Sequence, residues 1–184
     1  MENQYLLKMK RILSKLVQPT TFILIGTITR VIPHPANFAP IAAMALFGGV
    51  YMGKKQAFVL PILAMILSDL LIGFDSLPMR GVIYGTFLAT VLVGLWLKEH
   101  KNTKNVILAS LFSSILFFVV TNFAVWAFGG MYAKNLLGLS ESYVMAIPFF
   151  RNTILGDLFY SGVFFGGYEF VKNLIKRSKF ALES

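Results

Sequence analysis

The chain contains no cysteine. Thiol nucleophiles, disulfides and thiolate metal sites are thereby excluded. Histidine is scarce, with two residues in 184, which argues against a His-rich metal centre. Charge is scarce too. Charged side chains make up 14% of the chain, where soluble domains carry about a quarter. There is no phosphate-binding loop of the form Gly-x-x-x-x-Gly-Lys-Ser/Thr, so the chain has no usual means of hydrolysing ATP by itself. No cofactor and no metal are expected, and no catalytic residue is assigned.

Apolar residues are abundant instead. They form 57% of the sequence, and the mean hydropathy is +0.71. A water-soluble chain of this length has no interior large enough to hide that much apolar surface. The lipid bilayer is the alternative solvent. The pattern predicts an all-α membrane protein with one integral domain over residues 1–184. Six transmembrane helices are expected, at about 16–32, 38–53, 56–74, 80–97, 105–128 and 147–171. Several of these approach the ~17–25 residues needed to cross a bilayer core. The second is the shortest, and losing it would place the two ends on opposite sides. The first could be mistaken for a signal peptide, but Arg30, Pro33 and Pro35 stand where small cleavage-site residues are needed. Residues 129–142 read as a loop. The Phe-Gly-Gly strings at 47–49, 128–130 and 165–167 are unevenly spaced, so they mark no repeat.

Lysine and arginine set the orientation, because cytoplasmic segments carry their excess. With six crossings and both ends cytoplasmic, 13 of the 17 basic residues fall inside. Only Arg30, Arg80, Lys134 and Arg151 fall outside. The net charge of +9 is then explained by topology and anionic lipid. No nucleic-acid partner is called for.

Small residues four apart let helices approach closely in lipid. Helix 2 carries Ala39 and Ala43, and the ladder Ala45, Gly49, Gly53. Helix 4 carries Gly81, Gly85 and Ala89, and helix 6 carries Gly162 and Gly166. The plainer reading is packing within one bundle. The sharper one is a ladder facing lipid that docks another protein.

Ionisable residues inside a membrane are costly, about 2.5–3.5 kcal/mol at a helix centre on insertion scales, and default to a functional reading. Arg30, Asp69, Asn122, Trp126, Arg151, Asn152 and Asp157 all fall in the outer half of the expected bundle. Asp157 lies about 9 Å below Arg151 at the helical rise. A shared depth predicts a polar pocket open to the outside. Trp126, Tyr132 and the loop bearing His34 and Asn37 would rim it. The competing account is a purely structural ion pair, joining Arg151 or Arg30 to Asp69 or Asp157. Glu169, near the inner surface, reads as structural.

Four strings carry a resemblance: IPHPANFAPIAAMALFGG at 32–49, LSDLLIG at 67–73, TNFAVW at 121–126 and AIPFFRNTILGDLFY at 146–160. Together they resemble a family of small bacterial inner-membrane proteins of unassigned function. In length, helix count and its small-residue second helix, that family is similar to the substrate-binding S components of energy-coupling-factor transporters. The resemblance implies a multi-pass protein of the bacterial inner membrane that binds a vitamin or similar small molecule near the outer face. It implies a binding role for His34, Asn37, Asp69, Asn122, Trp126, Arg151, Asn152 and Asp157. It also implies a transmembrane coupling partner with ATPases. The chain lacks the histidine-bearing N-terminus of metal-specific S components, which argues against nickel or cobalt uptake.

Three functions compete. A small-molecule uptake component explains the polar cluster, the ladders and the missing ATPase. A scaffold of the envelope or cell-shape machinery needs no pocket, so its polar residues should pair internally. An intramembrane enzyme using Asp69 and Asp157 as acid and base has no further catalytic signature, and no enzyme activity is expected.

Overall fold

The computed structural model describes residues 18–183 together with Gln4 and Leu7, with side chains described to residue 176. The basic segment bearing Lys8, Lys10, Arg11 and Lys15 lies outside the described residues, as do residues 16 and 17 of the first expected helix. Every regular element among the described residues is helical.

The helices are α1 (Pro19–Val31), α2 (Ile41–Tyr51), α3 (Lys54–Ile72), α4 (Leu77–Glu99), α5 (Thr103–Phe128), α6 (Leu136–Val144) and α7 (Ile147–Ser161). A π-helical turn, Gly162–Gly166, then leads into α8 (Gly167–Glu183) without a break in helical structure. Local chemistry sets several boundaries. Prolines open α1, α4 and α7, at positions whose N–H would lack a helical partner anyway. Asn102 Oδ1 accepts from the Asn105 N–H at 2.8 Å, and Asn135 Oδ1 from the Gly138 N–H at 2.9 Å. These are N-caps of α5 and α6.

Among the described residues three helices, α3, α4 and α5, are long and apolar enough to cross a membrane. Their outward faces expose large apolar side chains such as Leu67, Leu92, Phe112 and Val119. Helix α2 differs. It has 11 residues, not the expected 16, and spans only about 16 Å at the helical rise. Its start is delayed because Asn37 is left-handed (φ 65°) and Pro40 serves as the N-cap. Every residue from Ile41 to Val50 is buried. A helix apolar on all sides belongs in an interior, and α2 is the central rod around which the others pack.

Close approach to that rod depends on missing side chains. A Cβ on Gly49 would stand 2.6 Å from the Gly94 backbone, and a Cβ on Gly94 2.6 Å from the Leu46 carbonyl oxygen. The Ala45–Gly49 part of the expected ladder therefore packs inside the bundle, with Ala43 also buried. Its partner on α4 is Gly94. Gly85 lies nine residues from Gly94, two and a half turns, and so faces the opposite way. A Cβ on Gly81 or Gly85 would meet nothing within 4 Å. Ala39 and Ala89 are half-buried and Gly53 is exposed.

Two further departures concern the last third of the chain. The segment read as a loop contains α6, which the Asn135 cap starts. The sixth expected helix is real but longer, and its middle is the π-turn.

Candidate functional site

Five of the ten expected site residues gather where α1, α3, α4, α5 and α7 meet the loop after α1. A cavity of about 330 Å³ opens there. That is within the ~300–1,000 Å³ typical of small-molecule pockets. Arg30, His34, Asn37, Asp69 and Asp157 line it. A second cavity of about 360 Å³ adjoins it and holds Asn122 and Tyr132. The two share Ala36, Asn37, Ile83, Phe117 and Thr153 in their walls.

One wall is closed by a complete ion pair. Asp69, buried on α3, accepts from Arg30 Nη1 at 2.7 Å and from Tyr84 Oη at 2.6 Å. Both of its oxygens are engaged. Arg30 Nη1 also contacts Ser68 Oγ and the Met65 carbonyl. Ser68 Oγ itself donates to the Ala64 carbonyl at 2.8 Å. The arrangement ties α1, α3 and α4 together with few polar atoms to spare.

The facing wall is not closed. Asp157 is 3% exposed, yet no arginine or lysine pairs with it among the described residues. Its one hydrogen bond comes from Ser114 Oγ on α5, 2.6 Å from Oδ2. A buried carboxylate with one neutral partner retains acceptor capacity. Thr153, one turn earlier on α7, lines the same cavity. The close approach of α7 to the loop depends on Gly156, whose Cβ would come 3.1 Å from Phe38 Cα.

Other groups complete the lining. Arg80 is half-buried, with its guanidinium 4.7 Å above the Phe74 ring and, among the described residues, no hydrogen-bond partner for its buried Nε. Asp75 stands nearby, and Tyr84, Phe87 and Phe117 supply aromatic surface. The ionisable complement is therefore two arginines against three aspartates, with His34 in addition. His34 is exposed, with Nδ1 2.7 Å from the Ile32 carbonyl oxygen. Asn37 carries the positive φ noted above, and strained backbone of this kind concentrates at binding sites.

Three expected residues lie outside both cavities. Arg151 is exposed. It is six residues from Asp157, about 240° around the helix, so the two point apart. Asn152 is half-buried but lines neither space. Trp126 donates from Nε1 to the Ala133 carbonyl at 2.9 Å, and its own carbonyl accepts from Lys134. Asn122 donates back to the Phe118 carbonyl at 2.8 Å.

The sequence reading passed over Ser114, Tyr84, Arg80 and Thr153. Ser110 and Ser114 are spaced by four in an apolar helix, which was a legible sign of an interhelical polar stripe. Ser161 Oγ on α7 bonds Ser110 Oγ at 3.3 Å along that stripe. Tyr84 and Arg80 gave no such signal, since their role depends on α4 lying beside α3.

Among known proteins, one family model matches residues 10–179, that of a family of unknown function (DUF6580). No curated protein and no solved structure matches the chain.

Proposed function

The chain belongs to this family of unknown function, and we propose that it is the substrate-binding membrane component of an uptake system for a small organic molecule. The observation that carries the reading is Asp157. A carboxylate 3% exposed, with one hydroxyl for a partner, lines a cavity of ligand size. Leaving a buried carboxyl group short of hydrogen-bond partners is expensive, and a ligand group that supplies them accounts for it. Aromatic and aliphatic walls with an excess of carboxylates suit an amphipathic or zwitterionic molecule. Its cationic or hydrogen-bond-donating end would meet Asp157, and its flat body would lie against Tyr84, Phe87 and Phe117. Vitamins and related compounds have this character. The proposed role is binding, not catalysis.

The proposed setting is the bacterial inner membrane, with six crossings and both ends cytoplasmic. In that topology α7 and α8 form the last crossing, and α2 is completed by flanking non-helical residues. The basic-residue distribution supports it, and it puts the Asp157 cavity on the outer side. Energy would come from a transmembrane coupling protein with ATPases, since the chain has no phosphate loop.

The test is native mass spectrometry of the protein extracted gently from its own membranes, beside Asp157→Asn. A small-molecule adduct on the parent, lost in the variant, is the expected result. An adduct of equal occupancy on both would remove Asp157 from the site. Ligand-free protein accompanied by envelope proteins would favour the second reading, a scaffold of the envelope or cell-shape machinery. That reading draws on the closed Arg30–Asp69–Tyr84 cluster and on the open Gly81–Gly85 face of α4.

A further inference from the structure

A larger cavity lies toward the other end of the bundle. Of the polar groups described above only Ser161, at the end of the serine stripe, lines it. Its volume is about 700 Å³. On α5 it begins at Thr103, whereas the Asp157 cavity reaches Phe117. The larger cavity's lining runs on to Ile107, and Ile107 and Phe117 are 10 residues, or roughly 15 Å, apart along the helix axis. Its inner surface is apolar, formed by Val106, Ile107, Leu158 and Phe165. Its mouth is charged. Glu169 accepts from Lys101 Nζ at 2.5 Å, from Tyr51 Oη at 2.9 Å and from Lys172 Nζ at 3.3 Å. Two ammonium groups thus share one carboxylate, and the mouth keeps a net positive charge.

The π-turn forms part of the wall. π-bulges recur at functional sites because the extra residue displaces the helix locally. Gly162 and Gly166 both line the space, and a Cβ on either would meet nothing within 4 Å. The room at this wall is therefore left by the bulge and its glycines, not filled by a neighbouring helix.

We infer that this cavity binds an anionic phospholipid, with the phosphate at Lys101 and Lys172 and an acyl chain along the π-turn. The segregation of charge from apolar surface selects an amphiphile over a free anion. The net positive mouth selects an anionic headgroup over a zwitterionic one. Lys54, Lys55, Lys98 and Lys104 stand on turns and helix ends that the proposed topology puts at the same membrane surface. Basic residues near such a surface attract anionic lipid. The inference needs the chain to lie in a bilayer, and it does not depend on the ligand proposed for the Asp157 cavity.

The experiment is thermal unfolding and native mass spectrometry of the full chain in detergent. Phosphatidylglycerol, phosphatidylcholine or inorganic phosphate is added in turn. Phosphatidylglycerol is expected to raise Tm more than phosphatidylcholine and to leave a persistent adduct, with no effect of inorganic phosphate. Gly166→Leu fills the wall without touching a charge, and it should lose both the Tm difference and the adduct. Lys172→Gln leaves Lys101 on Glu169, serves if the leucine variant does not fold, and should weaken the preference for phosphatidylglycerol. Equal protection by the two lipids would overturn the inference. So would protection by inorganic phosphate alone, or an adduct that survives both substitutions.

Discussion

Asp69 and Asp157 line one cavity, and the fold deals with them in different ways. Asp69 sits between α1 and α4, with an arginine on one oxygen and a tyrosine on the other. Asp157 sits between α5 and the loop after α1, with one serine hydroxyl. Both are buried. A buried carboxylate whose oxygens are fully partnered acts as a tie between helices. One left short of partners in a cavity is a place where something else can bind. The sequence suggested a choice between a pocket and structural ion pairs. The two walls show both arrangements side by side.

The largest expected effect is on the paired side. Asp69→Ala leaves Arg30 without its countercharge, and removing one member of a buried pair costs about 3–5 kcal/mol. Arg30 keeps some solvent contact, with its side chain 18% exposed, so the lower end of that range is expected as a drop in Tm in detergent. Replacing both residues by leucine should recover much of the loss. A single variant as stable as the parent would show that the pair is not structural.

Gly156→Val comes next. The new side chain must push α7 from the backbone of Phe38, and overpacking of this kind costs about 1–3 kcal/mol. Because the same loop carries His34 and Asn37, ligand occupancy should fall along with Tm. Unchanged occupancy would detach the loop from the site.

Tyr84→Phe removes one hydrogen bond from Asp69 and should cost about 1 kcal/mol, with Arg30 still in place. Smallest of all in stability is Asp157→Asn. The amide keeps an oxygen for Ser114 and nearly the same shape, so Tm should stay near that of the parent while ligand binding falls. A large loss of Tm in this variant would put Asp157 with Asp69 among the structural groups and erase the contrast between the walls.

Much of the helical framework was legible. Apolar runs bounded by proline, glycine and asparagine located α3, α4 and α5 to within a few residues. Helix α6 was hidden because its nine residues are too few to cross a membrane and its cap, Asn135, looks like any loop asparagine. Within the site, Arg30, His34, Asn37, Asp69 and Asp157 stood out as polar residues in apolar surroundings, and the structure brings these five to one cavity. Arg151 stood out for the same reason but lies on another face of its helix. Depth along a helix can be counted from sequence, whereas the direction of a face relative to its neighbours cannot be read without the packing.

The sequence by itself determined the chemistry available: no thiols, no ATP-hydrolysing loop, an apolar exterior and a handful of ionisable groups buried at a cost. Tertiary structure alone decided which of those groups meet. Gly49 against Gly94 fixes α2 on α4, and α4 beside α3 brings Tyr84 to Asp69. Gly156 beneath Phe38 brings α7 under the loop and leaves Asp157 short of a cation. Pairing depends on approaches of a few ångströms between residues tens of positions apart. No local pattern of residues encodes such approaches, because they are properties of the packed helices together.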